Sequence, residues 1–123
     1  MTKEQAASTV IAQIVEGRVD TGLFTDDGAW WSNAGVSIPI ADFNQLLTSL
    51  HEQTEHGIAV TAGPIAVCGD KLFFEATSQA RLKNGKAYAN RYAFVALFEG
   101  DLIREMREYS DTAHVFDTFE IAL

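Results

Sequence analysis

One cysteine, two prolines and nine basic residues in a chain of 123 exclude whole classes of protein. A lone Cys68 closes no internal disulfide and supplies no set of thiols for a structural zinc. The chain is therefore expected to fold by burial alone in a reducing, cytoplasmic setting. No apolar run approaches the roughly 18–20 residues of a membrane helix. Met1-Thr2-Lys3-Glu4-Gln5 lacks the apolar segment of a signal peptide. Lys and Arg are outnumbered by 17 acidic residues, giving a net charge of −8. That balance argues against phosphate backbones and anionic lipid heads, so neither nucleic acid nor membrane is an expected partner. GxGxxG, GxxxxGKS/T and GxSxG patterns are missing, which leaves nucleotide cradles and a serine-hydrolase elbow without support.

What is present is apolar: 47% of residues, enough in a 13.5 kDa chain to bury roughly two-thirds of the unfolded surface in one core. A single domain, residues 1–123, is expected. Thr2 and Gln5 read as a capping box, and Ala6, Ala7, Val10, Ile11, Ile14 and Val15 follow at helical spacing until Gly17. Residues 19–24 offer a short helical turn, Asp26-Asp27-Gly28 a solvated turn, and residues 29–32 a short strand. Pro39 opens a second full helix carrying Phe43, Leu46, Leu47 and Leu50 on one face and ending near Gly57. Residues 58–60 and 65–67 are short strands separated by Gly63-Pro64. Residues 71–82 and 87–98 form a hairpin across Asn84-Gly85, expected as a two-residue turn. Residues 102–109 make the last strand, and Asp111 caps a terminal helix.

Along the hairpin, Tyr92, Phe94, Ala96 and Phe98 share one face, while Ala93, Val95 and Leu97 share the other. Both faces are apolar, yet the helices suffice to cover only one. The second is expected to meet another copy of the chain, giving a homodimer through the outer face of the sheet.

Three patterns, in this order, carry a family resemblance. They are Phe24-Thr25-Asp26-Asp27-Gly28-Ala29-Trp30-Trp31, then Tyr88-Ala89-Asn90-Arg91-Tyr92, then Gly100-Asp101-Leu102-Ile103 leading into Glu108-Tyr109-Ser110-Asp111. With the element order α-α-β-α-β-β-β-β, the chain resembles the nuclear transport factor 2-like superfamily and, within it, the SnoaL-like proteins. The resemblance implies an α+β fold in which a curled antiparallel sheet is closed by helices into a cone holding a small, mostly apolar ligand. That superfamily includes isomerases, cyclases, epoxide hydrolases, dehydratases and non-catalytic binding domains, so residues must decide. The position of the ketosteroid isomerase base is occupied by Ser32, and its oxyanion-hole positions by Val10 and Phe94. Glu75 and Thr77 stand where epoxide hydrolases of the limonene type carry an arginine and an aspartate. Glu108 alone retains an acidic position on the last strand, one also used by the polyketide cyclases.

Alternation from Phe94 and Glu108 places Phe73, Glu75, Thr77 and Gln79 on the cone-facing side, with Asn90, Tyr92, Arg104 and Met106. Trp30 and Ser32 complete the wall. A bulge between Leu72 and Leu82 would instead turn Phe74, Ala76 and Ser78 inward. Two carboxylates in an aromatic cavity raise each other's pKa and can act as acid and base. Glu108 and Glu75 are therefore the candidate catalytic pair, with Tyr92 and Asn90 orienting a ligand oxygen. The alternative is structural, Glu75 pairing with Arg104 and Glu108 with Tyr92 or the backbone. His51 and His56 are five residues apart, about 140° around a helix, and do not converge on a metal. Cys68 reads as a buried inert thiol and His114 as a capping or lid residue. The expected activity is cofactor-free isomerisation, cyclisation, hydration or dehydration of a hydrophobic ring-containing molecule. The same fold serving as a non-catalytic small-molecule binding or association domain is the alternative.

Overall fold

Thr2 opens helix α1 (Lys3–Glu16) with the expected reciprocal cap, its hydroxyl accepting from Gln5 N–H at 3.1 Å and its N–H donating to Gln5 Oε1 at 2.8 Å. Gly17 closes the helix at φ +95°, a left-handed conformation that favours glycine. These elements come from a computed structural model, which describes residues 1–122. A 3-10 turn (Thr21–Leu23) leads into β1 (Phe24–Ser32), β2 (Val36–Pro39), α2 (Ile40–Glu52), β3 (Ala59–Ala62) and β4 (Ala66–Cys68). The long strands β5 (Lys71–Arg81), β6 (Ala87–Glu99) and β7 (Leu102–Ser110) precede α3 (Thr112–Thr118). Among the described residues no helix is long and apolar enough to cross a membrane.

The strands form one open α+β sheet in the order β2-β1-β7-β6-β5-β3, with β4 also on β5. All pairings are antiparallel except β1 with β7, which run parallel. A purely antiparallel sheet was the expectation, and β1 corrects it. Most of the chain lies between β1 and β7, so no tight turn dictates their relative direction. Strand β2 was not anticipated either; Gly35, at φ +86°, turns the chain back so that Val36 pairs with Ser32.

Which side chains face inward depends on two irregularities. The hairpin loop holds three residues, Lys83, Asn84 and Gly85, rather than two. Gly85 N–H donates to Leu82 O at 3.0 Å and Gly85 takes φ +89°, whereas no non-glycine residue among those described has positive φ. A two-residue type I′ turn would need positive φ at Asn84 as well. The extra loop residue shifts the register by one, so Phe74, not Glu75, lies opposite Phe94. On β7 a second shift falls between the Phe98–Ile103 and Leu97–Glu105 pairs and leaves Arg104 as the extra, exposed residue. That bulge places Glu108 opposite Phe94.

Val10, Leu72, Ile103 and Met106 are fully buried at the centre of the core between the sheet and helices α1 and α2. A smaller cluster of Ile58, Leu82, Tyr88 and Phe119 lies under α3. Asn44 ties α2 to the segment after α1, its amide donating to Val19 O and its oxygen accepting from Val19 N–H, both at 2.8 Å. Asn44 is buried and Val19 fully so. Asn44→Ala would leave two backbone groups buried without partners, at a cost of about 2–4 kcal/mol. A fall of that size in unfolding free energy is expected by urea titration.

Candidate functional site

Inside the curl, two small cavities of about 100 Å³ and about 80 Å³ share Phe43, Leu50, Glu108 and Val115 in their walls. They are two lobes on either side of Glu108. The first lies between β1, β2, α2 and α3, with Trp30, Ser32, Ile38, Leu46, Ser110 and Phe116 around it. The second lies under α1 and reaches Tyr88, Tyr92, Phe94 and Phe119. Trp30, itself part of the core, lines the first lobe, stacked flat on Phe43 with ring centres 3.9 Å apart and edge-on to Phe94 at 6.1 Å.

Glu108 keeps intermediate exposure as a residue because it borders the lobes. Its carboxyl group is nevertheless desolvated, and this burial pushes its pKa up from 4.5 to about 7. The indole N–H of Trp30 donates to Oε1 at 3.4 Å and opposes the shift weakly. Among the described residues, no Lys, Arg or His lines either lobe. A carboxyl group that changes charge near neutral pH in an aromatic wall can both take and give a proton.

The second lobe carries a hydroxyl network. Tyr92 OH lies 2.7 Å from both Ser78 Oγ and Tyr88 OH, and Asn90 Nδ2 donates to Tyr88 OH at 2.9 Å. Burial, together with the neighbouring Glu108, raises the pKa of both tyrosines, so each keeps its proton at neutral pH. Asn90 is fully used: its amide also donates to Asp111 O at 3.1 Å, and its oxygen accepts from Arg91 N–H at 2.8 Å and Asp111 N–H at 3.2 Å. It fastens β6 to the start of α3 and positions Tyr88. His114 of α3 stacks on Tyr88 at 5.1 Å and accepts from Ala89 N–H at 3.3 Å.

This architecture can be matched to known proteins through structure only, because no protein-family model and no curated protein matches the sequence. A protein with ketosteroid isomerase-like fold from Catenulispora acidiphila, in complex with trimethylamine, superposes with TM-score 0.78 at 18% identity, over 96% of this chain and 93% of that one. A SnoaL-like protein of the polyketide cyclase type from Jannaschia sp. CCS1 gives 0.70 at 15% identity, over 98% and 94%. An NTF2-like protein from Anabaena variabilis gives 0.71 at 21% identity, over 88% and 85%. The chain has the nuclear transport factor 2-like fold.

Within this NTF2-like cone the expected site residues separate. Glu108, Trp30, Ser32, Tyr92 and Phe94 line the lobes, and Asn90 stands behind them. Met106 points inward but is wholly buried in the core, lining neither lobe. Phe73, Glu75 and Thr77 lie on the opposite, exposed face of β5, and this corrects their expected place beside Glu108. The reason is the three-residue turn, which reverses the parity of the whole strand. Phe74, Ala76 and Ser78 take the inward positions. Arg104 is likewise exposed at its bulge, and Cys68, expected to be buried, is exposed at the end of β4. His51 bonds Ile14 O at 2.8 Å and so ties α2 to α1. Tyr88, Ser110, Phe43 and the apolar residues of α3 also line the lobes but are not among the expected site residues. Tyr88 and Ser110 could have been reached by extending the alternation outward from Tyr92 and Glu108.

The raised pKa of Glu108 links the cone to stability. Between pH 4.5 and about 7 the unfolded chain releases this proton while the folded chain retains it. Stability therefore falls as pH rises through that window, and the full cost of an ionised, buried carboxylate is reached above it. Glu108→Gln is expected to raise the unfolding free energy by about 2–3 kcal/mol at pH 8.5 and to change it little at pH 4.5. Urea titrations of both proteins at the two pH values check this.

Proposed function

We propose that this protein is a small-molecule enzyme that moves protons without a bound cofactor. Glu108 acts as the single general acid/base on a compact, apolar, oxygen-bearing and ring-containing substrate. The observation that carries this reading is one desolvated carboxyl group, poised near neutrality, at the junction of two aromatic-lined lobes. Isomerisation, cyclisation, hydration and dehydration all need such a group, and the linked hydroxyls of Ser78, Tyr92 and Tyr88, with three protons for the two bonds between them, leave one donor for a substrate oxygen in the second lobe. Glu75 has no part in this chemistry, since it faces away from the cone.

A second reading, a non-catalytic binding domain of the same fold, is favoured by one observation. With Glu75 outside, Glu108 carries the one carboxyl group that lines the lobes among the described residues. Incubating a metabolite extract of the source cells with wild type, Glu108→Gln and Glu75→Gln, followed by mass spectrometry, separates the two. A conversion of unchanged mass or differing by one water, slowed about 10²–10⁴-fold by Glu108→Gln and unaffected by Glu75→Gln, is the expected result. A compound that co-purifies with every variant and is never converted makes the protein a binder.

The proposal extends to a homodimer through the outer face of the sheet, in the cytoplasm. Phe73 is 39% and Tyr109 38% exposed on that face, where Trp31 packs on Tyr109 at 5.0 Å. Light scattering is expected to give twice the chain mass for wild type and a monomer for Phe73→Glu; a monomeric wild type overturns the dimer.

A further inference from the structure

Among the described residues, one buried side-chain polar atom has no hydrogen-bond partner: Oγ of Ser110. Its position is not loose. Asn33 grips the Ser110 backbone from both sides, its amide donating to Ser110 O at 3.1 Å and its oxygen accepting from Ser110 N–H at 3.2 Å. Asn33 N–H also donates to Glu108 O at 3.2 Å, which holds the whole end of β7 against β1. Ser110 stands two residues beyond Glu108, so both side chains project to the same face, and both line the first lobe. The adjacent Ser32 hydroxyl already accepts from Ala34 N–H at 3.1 Å. An anchored hydroxyl without a partner, beside a carboxyl group in a lobe whose other polar walls are only the Ser32 and Thr112 hydroxyl residues among those described, is a site left to be completed by a ligand.

We infer that Ser110 is a ligand anchor, and that with Glu108 it holds the hydroxyl group of a compact apolar alcohol in the first lobe. The assignment follows from donors and acceptors. A carboxylate only accepts, whereas a serine hydroxyl can donate. One ligand oxygen that accepts from Ser110 and donates to ionised Glu108 is a hydroxyl. A carbonyl oxygen can only accept, so it fits the same pair when Glu108 carries a proton. A space of about 100 Å³ limits the apolar part to about one ring. The groups facing Glu108 from β6 that titrate are Tyr88 and Tyr92, and both keep their protons through the neutral range. From β1, α2 and α3 it faces Trp30, Phe43, Leu50 and Val115, none of which titrates. A change of preference with pH therefore belongs to Glu108. The inference rests on the reading of the cone as a small-molecule site and does not require catalysis.

Calorimetric titration with cyclohexanol and cyclohexanone at pH 8.5 and pH 5.5 tests it. Wild type is expected to prefer the alcohol at pH 8.5 and to lose that preference at pH 5.5. Ser110→Ala is expected to weaken cyclohexanol binding about tenfold, the loss of one hydrogen bond, with thermal stability unchanged or raised because an unpaired buried hydroxyl is removed. Cyclohexanol binding unchanged in Ser110→Ala, or no binding of either probe to wild type, overturns the inference. Weakened binding in Ser110→Ala, with a pH-dependent preference that persists in Glu108→Gln, keeps the Ser110 anchor and removes Glu108 from its acid/base role. The two ideas can thus fail separately.

Discussion

A side chain on a strand can face only one of two ways, and in this sheet two local irregularities choose. The three-residue turn ending at Gly85 sets β5 against β6, and the bulge at Arg104 sets β7 against β6. Together they bring Phe74, Phe94 and Glu108 to one face. Removing either register shift in thought reverses a strand: Glu75 would face the cone, or Arg107 would replace Glu108 opposite Phe94. The cavity, its chemistry and the stability of the core all depend on these two choices.

The polar groups inside the cone fall into two kinds. Ser78, Tyr88, Asn90 and Tyr92 form a connected network in which each side chain has at least one partner, and Asn90 extends it to Asp111 at the start of α3. Such a network makes the β6–α3 junction rigid and keeps His114 stacked on Tyr88. Glu108 and Ser110 are the opposite case. One has a single long hydrogen bond from Trp30 and the other none. Both sit on β7 beside Asn33, which supplies a stiff backbone beneath them. Under-satisfied groups on a stiff support reduce stability where they stand, and they are the groups free to meet a ligand.

Helix α3 joins the site to the remainder of the molecule. It is only seven residues long, and Asp111 caps it by accepting from His114 N–H at 3.2 Å. Val115 lies in the wall shared by both lobes, Phe116 borders the first and Phe119 the second. Phe116, at 48% exposure, covers the first lobe without being buried itself. The helix is tied down at both ends, to β6 through Asn90 and Asp111 and to α2 through Gln53, which donates to Glu120 O and accepts from Glu120 N–H, both at 2.8 Å.

The sequence by itself determined the helices, the long hairpin, the acidic surface and the inward row Tyr92, Phe94, Ala96 and Phe98, because capping chemistry and apolar spacing are local and act within a few residues. It also singled out Glu108, through a resemblance spread along the chain. It did not determine the direction of β1 beside β7 or the existence of β2, and it misassigned the face of Phe73, Glu75 and Thr77. Asn-Gly is compatible with both a two-residue and a three-residue turn, and those turns differ by one residue of register. Only packing decided between them. Leu72 and Phe74 inward bury two large apolar side chains, whereas the other parity would have buried Lys71 and Glu75. The desolvation of Glu108 and the unpartnered hydroxyl of Ser110 were likewise decided by tertiary structure, since both depend on β1, α2 and α3 closing over β7 from distant parts of the chain.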